Sequence, residues 1–166
     1  MEYKEARDKF LQSWGTLGSQ WGINRTMAQI HALLLISPEA LTAIEIKDSL
    51  QISTGNTNMN LRALMDWGLV YKELKTGHRK DYFVAEKDMW EVVRKIIAQR
   101  KRRELEPVVK VLDEVSAVVG DSAEIQAFQK TIQDIRLFSN KADSLLETLL
   151  KAEADWFIKS FLKMVK

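Results

Sequence analysis

Residues 41 to 86 read LTAIEIKDSLQISTGNTNMNLRALMDWGLVYKELKTGHRKDYFVAE, and the order of local signals in this stretch decides the fold. Thr42 followed three residues later by Glu45 forms a capping box that opens a helix. Ala43, Ile46 and Leu50 recur at helical spacing, so one face of that helix is buried. Gln51-Ile52-Ser53 is a tight turn, and Ser53 caps a second helix that must cross the first steeply.

In the second helix Thr57, Leu61, Leu64 and Gly68 fall on one side and pack on the first. The other side carries Gly55, Asn56, Met59, Arg62 and Asp66, with Asn60 and Ala63 on its flank. Asn56, Asn58 and Asn60 are poor helix formers whose amides want partners, so they read as groove-facing groups rather than core. An Asn amide bonds an adenine bidentately and a Met side chain lies against a thymine methyl, which makes Asn56, Asn60 and Met59 the base-reading candidates. Thr54 and Arg62 suit phosphates. The helix N-terminus adds amides and dipole for an anion there, and Gly55 lets the backbone come close.

The strand-type runs Leu69 to Lys75 and Asp81 to Ala85 flank Thr76-Gly77-His78-Arg79-Lys80, which is a hairpin signal. His78, Arg79 and Lys80 are three consecutive groups that can be cationic. Such a tip suits a minor groove or the phosphates beside it, Arg79 above all. Helix, turn, helix and hairpin in this order make a winged helix-turn-helix, and its chemistry points to double-stranded DNA.

Working outward, residues 2 to 21 form an amphipathic helix with Phe10, Trp14, Leu17 and Trp21 as a core or dimer stripe. Gly15 and Gly18 mark a close helix contact or a bend. A second helix, about 25 to 36, buries Met27, Ile30, Leu33 and Leu34, has His31 beside that stripe, and ends at Ser37-Pro38. After the wing a long helix runs from about Asp88 to Val119, with Trp90, Val93, Ile97, Leu105, Val108, Leu112 and Val115 as its buried line. Pro107 should kink or split it near Glu104 to Glu106. Arg100 to Arg103 is the densest basic run, read as a solvated face or as a contact to flanking phosphates or to acidic groups of a partner subunit.

Gly120-Asp121-Ser122 stops that helix and caps the next. From Glu124 on, Ile125, Phe128, Ile132, Ile135, Ala142, Leu146 and Leu149 form a near-heptad seam with Ser139 as its polar exception, and a seam on an arm wants a partner. The end, ADWFIKSFLKMVK, is amphipathic and basic and is read as completing a dimer core rather than meeting a membrane. The expected architecture is mainly α with a small β-hairpin wing. Residues 1 to 120 form the winged helix-turn-helix domain with its N-terminal and long linking helices, and 121 to 166 the C-terminal dimerisation arm.

The composition removes several alternatives. The 166 residues contain no Cys and two His, which leaves no disulfide, thiol redox chemistry or thiolate metal site, and makes a histidine metal centre unexpected. No apolar run is long enough for a bilayer and no signal sequence opens the chain, so a cytoplasmic protein is expected. The net charge is only +2, but residues 42 to 103 hold 13 Lys and Arg against 8 Asp and Glu, while the rest hold 12 against 15. The positive excess therefore lies over the DNA-facing part. No GxxxxGK, HExxH or GxSxG motif and no paired His and Cys chemistry is present, so an enzyme is not expected, nor any cofactor.

WGINRT at 21 to 26, SxGNxxMNLRxLxxWGLV at 53 to 70, GxRKDYFxAE at 77 to 86 and RKRRELEP at 100 to 107 together resemble the GbsR branch of MarR-type transcriptional regulators, over roughly residues 10 to 115. The resemblance implies a dimeric, cytoplasmic DNA-binding regulator, usually a repressor. In some members a small molecule is the signal, and the first-named members respond to choline, a quaternary ammonium. For such a ligand an aromatic cage is required, and Trp14, Trp21, Trp67 and Trp90 are the available rings, each with a core explanation as well.

The expectation is a homodimer that sets the helix beginning near Ser53 into successive major grooves, with half-sites about 34 to 36 Å apart. The competing reading is a winged-helix protein-interaction adaptor without specific DNA binding. Alanine at Asn56 and Arg79 separates the two, because an adaptor keeps its partner.

Overall fold

The computed structural model describes residues 1 to 77 and 79 to 152. His78 and the basic amphipathic end, ADWFIKSFLKMVK, lie outside the described residues. The chain divides into two compact units, Met1–Val92 and Val93–Lys166.

The first unit is built around a helix buried almost all round. α1 (Tyr3–Gln20) is followed by α2 (Arg25–Ile36), which Asn24 caps by accepting from the Met27 amide at 3.2 Å. Met27, Ala28, Ile30, His31, Ala32, Leu33 and Leu34 are all buried, and α2 packs on α1, α3, α4 and β3. On α1 the buried line is Leu11, Gly15 and Gly18, whereas Leu17 and Trp21 are exposed. This corrects the aromatic stripe as a core line within the unit. The glycines make the contact, because a Cβ on Gly18 would stand 2.6 Å from the Cβ of Ala28.

β1 (Leu41–Thr42), α3 (Ala43–Leu50), α4 (Thr54–Asp66), β2 (Val70–Glu73) and β3 (Tyr82–Ala85) complete the unit's motif. The sheet is antiparallel in the order β1, β3, β2, with Leu41 opposite Phe83 and Val70 opposite Ala85. The hairpin strands are shorter than the sequence reading set them, and β1 was not foreseen. Its two residues are a strand only because β3 pairs with them.

α5 (Met89–Arg100) runs on into the second unit, where a widened π-helical turn over Lys101–Leu105 leads into α6 (Glu106–Val115). Pro107 accounts for the irregularity. It offers no amide and its ring crowds the carbonyl four residues back, and the turn ahead of it opens so that the Glu106 amide bonds the Lys101 carbonyl. The irregularity expected near Glu104 to Glu106 is a π-turn within an unbroken helical run rather than a split. The expected buried line holds in part, with Leu112 buried and Trp90, Ile97, Leu105 and Val115 half-buried. Val92 is also buried, while Val93 and Val108 are 40% and 48% exposed.

α7 (Ala123–Lys151) is one continuous helix of 29 residues, capped by Ser122, and it packs on α6 and the π-turn. Ser139 is buried, and Phe128, Ile135, Phe138 and Leu145 are exposed at heptad-like spacing.

Candidate nucleic-acid interface

The helix-turn-helix is held by local hydrogen bonds that its sequence dictates. Thr42 accepts from the Glu45 amide at 3.3 Å and donates its own amide to Glu45 Oε2 at 2.7 Å, which completes the capping box of α3. Those bonds, the backbone one first, hold the Glu45 carboxyl below its usual range, with help from the charges of Lys80 and Lys75 at the wing. α3 ends at Gln51, at φ 53° in the left-handed region, and Ser53 then caps α4 by accepting from the Asn56 amide at 3.2 Å. Gly68, at φ 70°, ends α4, and Leu69 bonds back to the Leu64 carbonyl at 2.9 Å.

α4 presents one face inward and one outward. Thr57, Leu61 and Leu64 are buried against α2 and α3, as the spacing predicts. Thr54, Gly55, Asn58, Met59, Arg62 and Asp66 are exposed, and Met59 keeps 58% of its surface. An apolar side chain left open on a polar helix face, between two groups able to bond bases or phosphates, is what a groove-reading surface requires.

The three Asn residues separate. Asn58 is exposed, Asn56 half-buried, and Asn60 only 2% exposed. Asn60 therefore does not face a groove, and its place as a base reader is withdrawn. Its Nδ2 donates instead to the Asn56 carbonyl at 2.8 Å and to Asn56 Oδ1 at 2.7 Å. Asn56 donates its own Nδ2 to Thr26 Oγ1 at 3.5 Å, so its amide is engaged on the protein side as well. Of the DNA-contact candidates on α4, Asn58, Met59 and Arg62 are outward, with Thr54 and Gly55 at the helix N-terminus.

The wing is the β2-β3 hairpin, whose inner side chains Val70, Phe83 and Ala85 are buried. Cross-strand contacts stiffen it: Lys72 Nζ lies 2.6 Å from Asp81 Oδ2, and Lys75 Nζ stands 4.6 Å over the Tyr82 ring. Gly77 turns the tip at φ 81°, and Arg79 and Lys80 are exposed there; His78 falls outside the described residues.

The basic run after α5 divides. Arg100 pairs with Glu104 at 3.1 Å and Lys101 lies 3.0 Å from Asp143 and 3.5 Å from Glu147, whereas Arg102 and Arg103 are exposed. Asp143 first, then Glu106, raises the Lys101 ammonium above its usual range.

The four tryptophans occupy different elements: Trp14 on α1, half-buried beside Phe10 and His31 with ring centroids 5.5 and 6.4 Å away, Trp21 exposed at the end of α1, Trp67 closing α4, and Trp90 on α5. His31 is buried, neither exposed nor half-exposed, and burial followed by the Lys87 charge pushes its pKa down to about 4. Thr26 and Lys87 were missed by the sequence reading. Their partners lie 30 and about 50 residues away in the chain, so no local spacing signals them.

No family model matches the chain. A curated relative does: the HTH-type transcriptional repressor GbsR of Bacillus subtilis (strain 168) is 26% identical over 155 residues, which span 92% of this chain and 82% of the relative. Among solved structures, the crystal structure of a transcriptional regulator superimposes with a TM-score of 0.66 at 18% identity, covering 87% of this chain and 95% of that one. That likeness establishes the fold. A mutant of S. aureus MepR bound to an oligodeoxyribonucleotide aligns at 17% identity over 82% of this chain and 94% of that one, with a TM-score of 0.42, too distant for detailed comparison. Sequence motifs, fold and the near full-length relative agree, and the chain is GbsR-like, with the winged helix-turn-helix fold and a likeness to that repressor along most of its length.

Proposed function

We propose that this protein is a DNA-binding transcriptional repressor that reads double-stranded DNA with the exposed face of α4. The observation that carries the reading is the line Gly55, Asn58, Met59 and Arg62, turned outward by the buried opposite face and followed by a cationic wing. In this reading α4 enters a major groove, where Asn58 and Met59 contact base edges. Arg62, Thr54 and the α4 amides hold phosphates, and Arg79 and Lys80 reach the neighbouring minor groove or its backbone.

The protein works as a homodimer. Phe138 and Leu145, 74% and 67% exposed and seven residues apart on α7, support a self-association seam together with Phe128 and Ile135. Residues 1 to 120 then serve DNA and 121 to 166 serve dimerisation. Two-fold symmetry sets half-sites about 34 to 36 Å apart. A repressor of this kind acts where the DNA is, in the cytosol, and needs no catalysis. Among the described residues no helix is long and apolar enough to cross a membrane. A small-molecule effector, a quaternary amine held by rings among Trp14, Trp21, Trp67 and Trp90, belongs to the same reading, and a typical coupling of about 1 to 3 kcal/mol would change DNA affinity about 5 to 150-fold.

The test is enrichment of a duplex from a random pool by the wild-type protein, followed by anisotropy titration against a scrambled duplex. Two protomers on a pseudo-palindromic site is the expected result. Equal, weak, salt-sensitive binding to both duplexes would contradict it.

A further inference from the structure

α4 buries an amide where an aliphatic side chain would pack without desolvating a polar group. Asn60 is 2% exposed, and its Nδ2 reaches both the carbonyl oxygen and the side-chain oxygen of Asn56, one turn earlier, at 2.8 and 2.7 Å. Asn56 has one acceptor oxygen and one donor nitrogen on its side chain. The oxygen takes the Asn60 bond and the nitrogen donates to Thr26 Oγ1, in the first turn of α2, at 3.5 Å. Each end of the Asn56 amide is thus assigned, and only one orientation of that side chain satisfies both. The chain Thr26, Asn56, Asn60 also joins the first turn of α4 to the first turn of the helix on which α4 packs.

We infer that Asn60 is a positioning residue for sequence selectivity: acting through Asn56, it keeps a polar side chain off the DNA-facing surface and fixes the pose of α4 on α2. The inference rests on the DNA-reading function proposed above. Asn56 sits next to Gly55 and one turn from Asn60, at the edge of the outward face. Released from Asn60, its amide adds a mobile donor and acceptor able to satisfy several bases, and the discrimination supplied by Asn58 and Met59 falls. Phosphate contacts stay, because Thr54, Arg62 and the wing are not touched.

The experiment uses the full chain and the duplex that the wild type enriches from a random pool, with a scrambled duplex as control. Asn60→Leu is expected to lower the ratio of the two affinities about tenfold, while the slope of log affinity against log salt stays that of the wild type. In the Asn56→Ala background the same substitution is expected to change the ratio no further, since its route of action is gone. If Asn60→Leu does not fold by circular dichroism, Asn60→Ser takes its place, whose hydroxyl reaches the Asn56 carbonyl but not its side-chain oxygen. An unchanged ratio, a ratio lost equally in both backgrounds, or a lowered salt slope overturns the inference. A wild type that enriches no duplex overturns the DNA reading itself, and this inference with it.

Discussion

Lys87 donates its ammonium to the carbonyl oxygen of Leu34 at 2.7 Å and so closes the C-terminal end of α2 from beyond the wing. The same nitrogen reaches the Leu35 and Ser37 carbonyls at 2.7 and 2.8 Å. A cation at the negative end of the helix dipole, bonded to carbonyls that the helix itself leaves open, fixes the hairpin's exit strand to the core helix. Partial burial holds the Lys87 pKa below the usual range, and the carbonyls keep the ammonium hydrogen-bonded.

Replacing Lys87 with Met removes three charge-assisted hydrogen bonds and leaves partly buried carbonyls. A loss of about 1 to 3 kcal/mol is expected from urea unfolding, with Lys87→Arg losing less. An unchanged midpoint would show that water serves those carbonyls equally well.

The glycines of α1 and α4 should respond in opposite ways. Gly18→Val places a Cβ where Ala28 already stands and is expected to cost about 1 to 3 kcal/mol through overpacking. A Cβ on Gly55 meets nothing within 4 Å, so Gly55→Ala should leave stability unchanged or raise it by about 0.5 to 1 kcal/mol. Nothing inside the described chain needs glycine at 55. Weaker DNA binding by this well-folded variant is the outcome expected if the phosphate backbone approaches there, and unaltered binding removes Gly55 from the interface.

His31 makes stability depend on pH. Its folded pKa of about 4 lies below the ordinary histidine value of 6.5, so between these values the unfolded chain binds the extra proton. Stability is complete above about pH 6.5 and falls as pH drops towards about 4, by up to about 3 kcal/mol from this group. In His31→Leu that part of the pH dependence should vanish from urea midpoints measured between pH 4.5 and 7.5.

The capping box and both helices of the motif were legible because their signals are local: Thr42 with Glu45, and Ser53 with the Asn56 amide, are three residues apart. Pro107 likewise announced an irregular turn, whereas Gly68, read as part of the packing face of the second helix, lies beyond its end at φ 70°. Asn60 was misread because a helical wheel puts position 60 on the flank of the outward face, and only packing on α2 and α3 decides that it turns inward. β1 was missed because two residues carry no periodicity and owe their conformation to Phe83 and Tyr82, some forty residues on. On α1 the rings were read as the core or dimer stripe, yet the contact with α2 belongs to Gly15 and Gly18, the pair whose spacing signalled a close helix contact.

The proposed dimer has a direct test on α7. Phe138→Glu together with Leu145→Glu puts charge on the exposed seam without disturbing the buried Ser139 side. Sedimentation should then report a monomer with wild-type helix content, and DNA affinity should fall as the second half-site is lost. A variant that stays dimeric would move the interface elsewhere.

The central claim, that the outward face of α4 reads DNA, is tested most directly by anisotropy titration of wild type, Asn58→Ala, Met59→Ala and Arg62→Ala on the enriched and scrambled duplexes at several salt concentrations. The account predicts selective wild-type binding. Asn58→Ala and Met59→Ala should each lose about 1 to 3 kcal/mol on the enriched duplex alone, while Arg62→Ala weakens both duplexes and lowers the salt slope by about one. Wild-type selectivity that survives all three substitutions would contradict the account, as would failure of the wild type to bind either duplex at low salt.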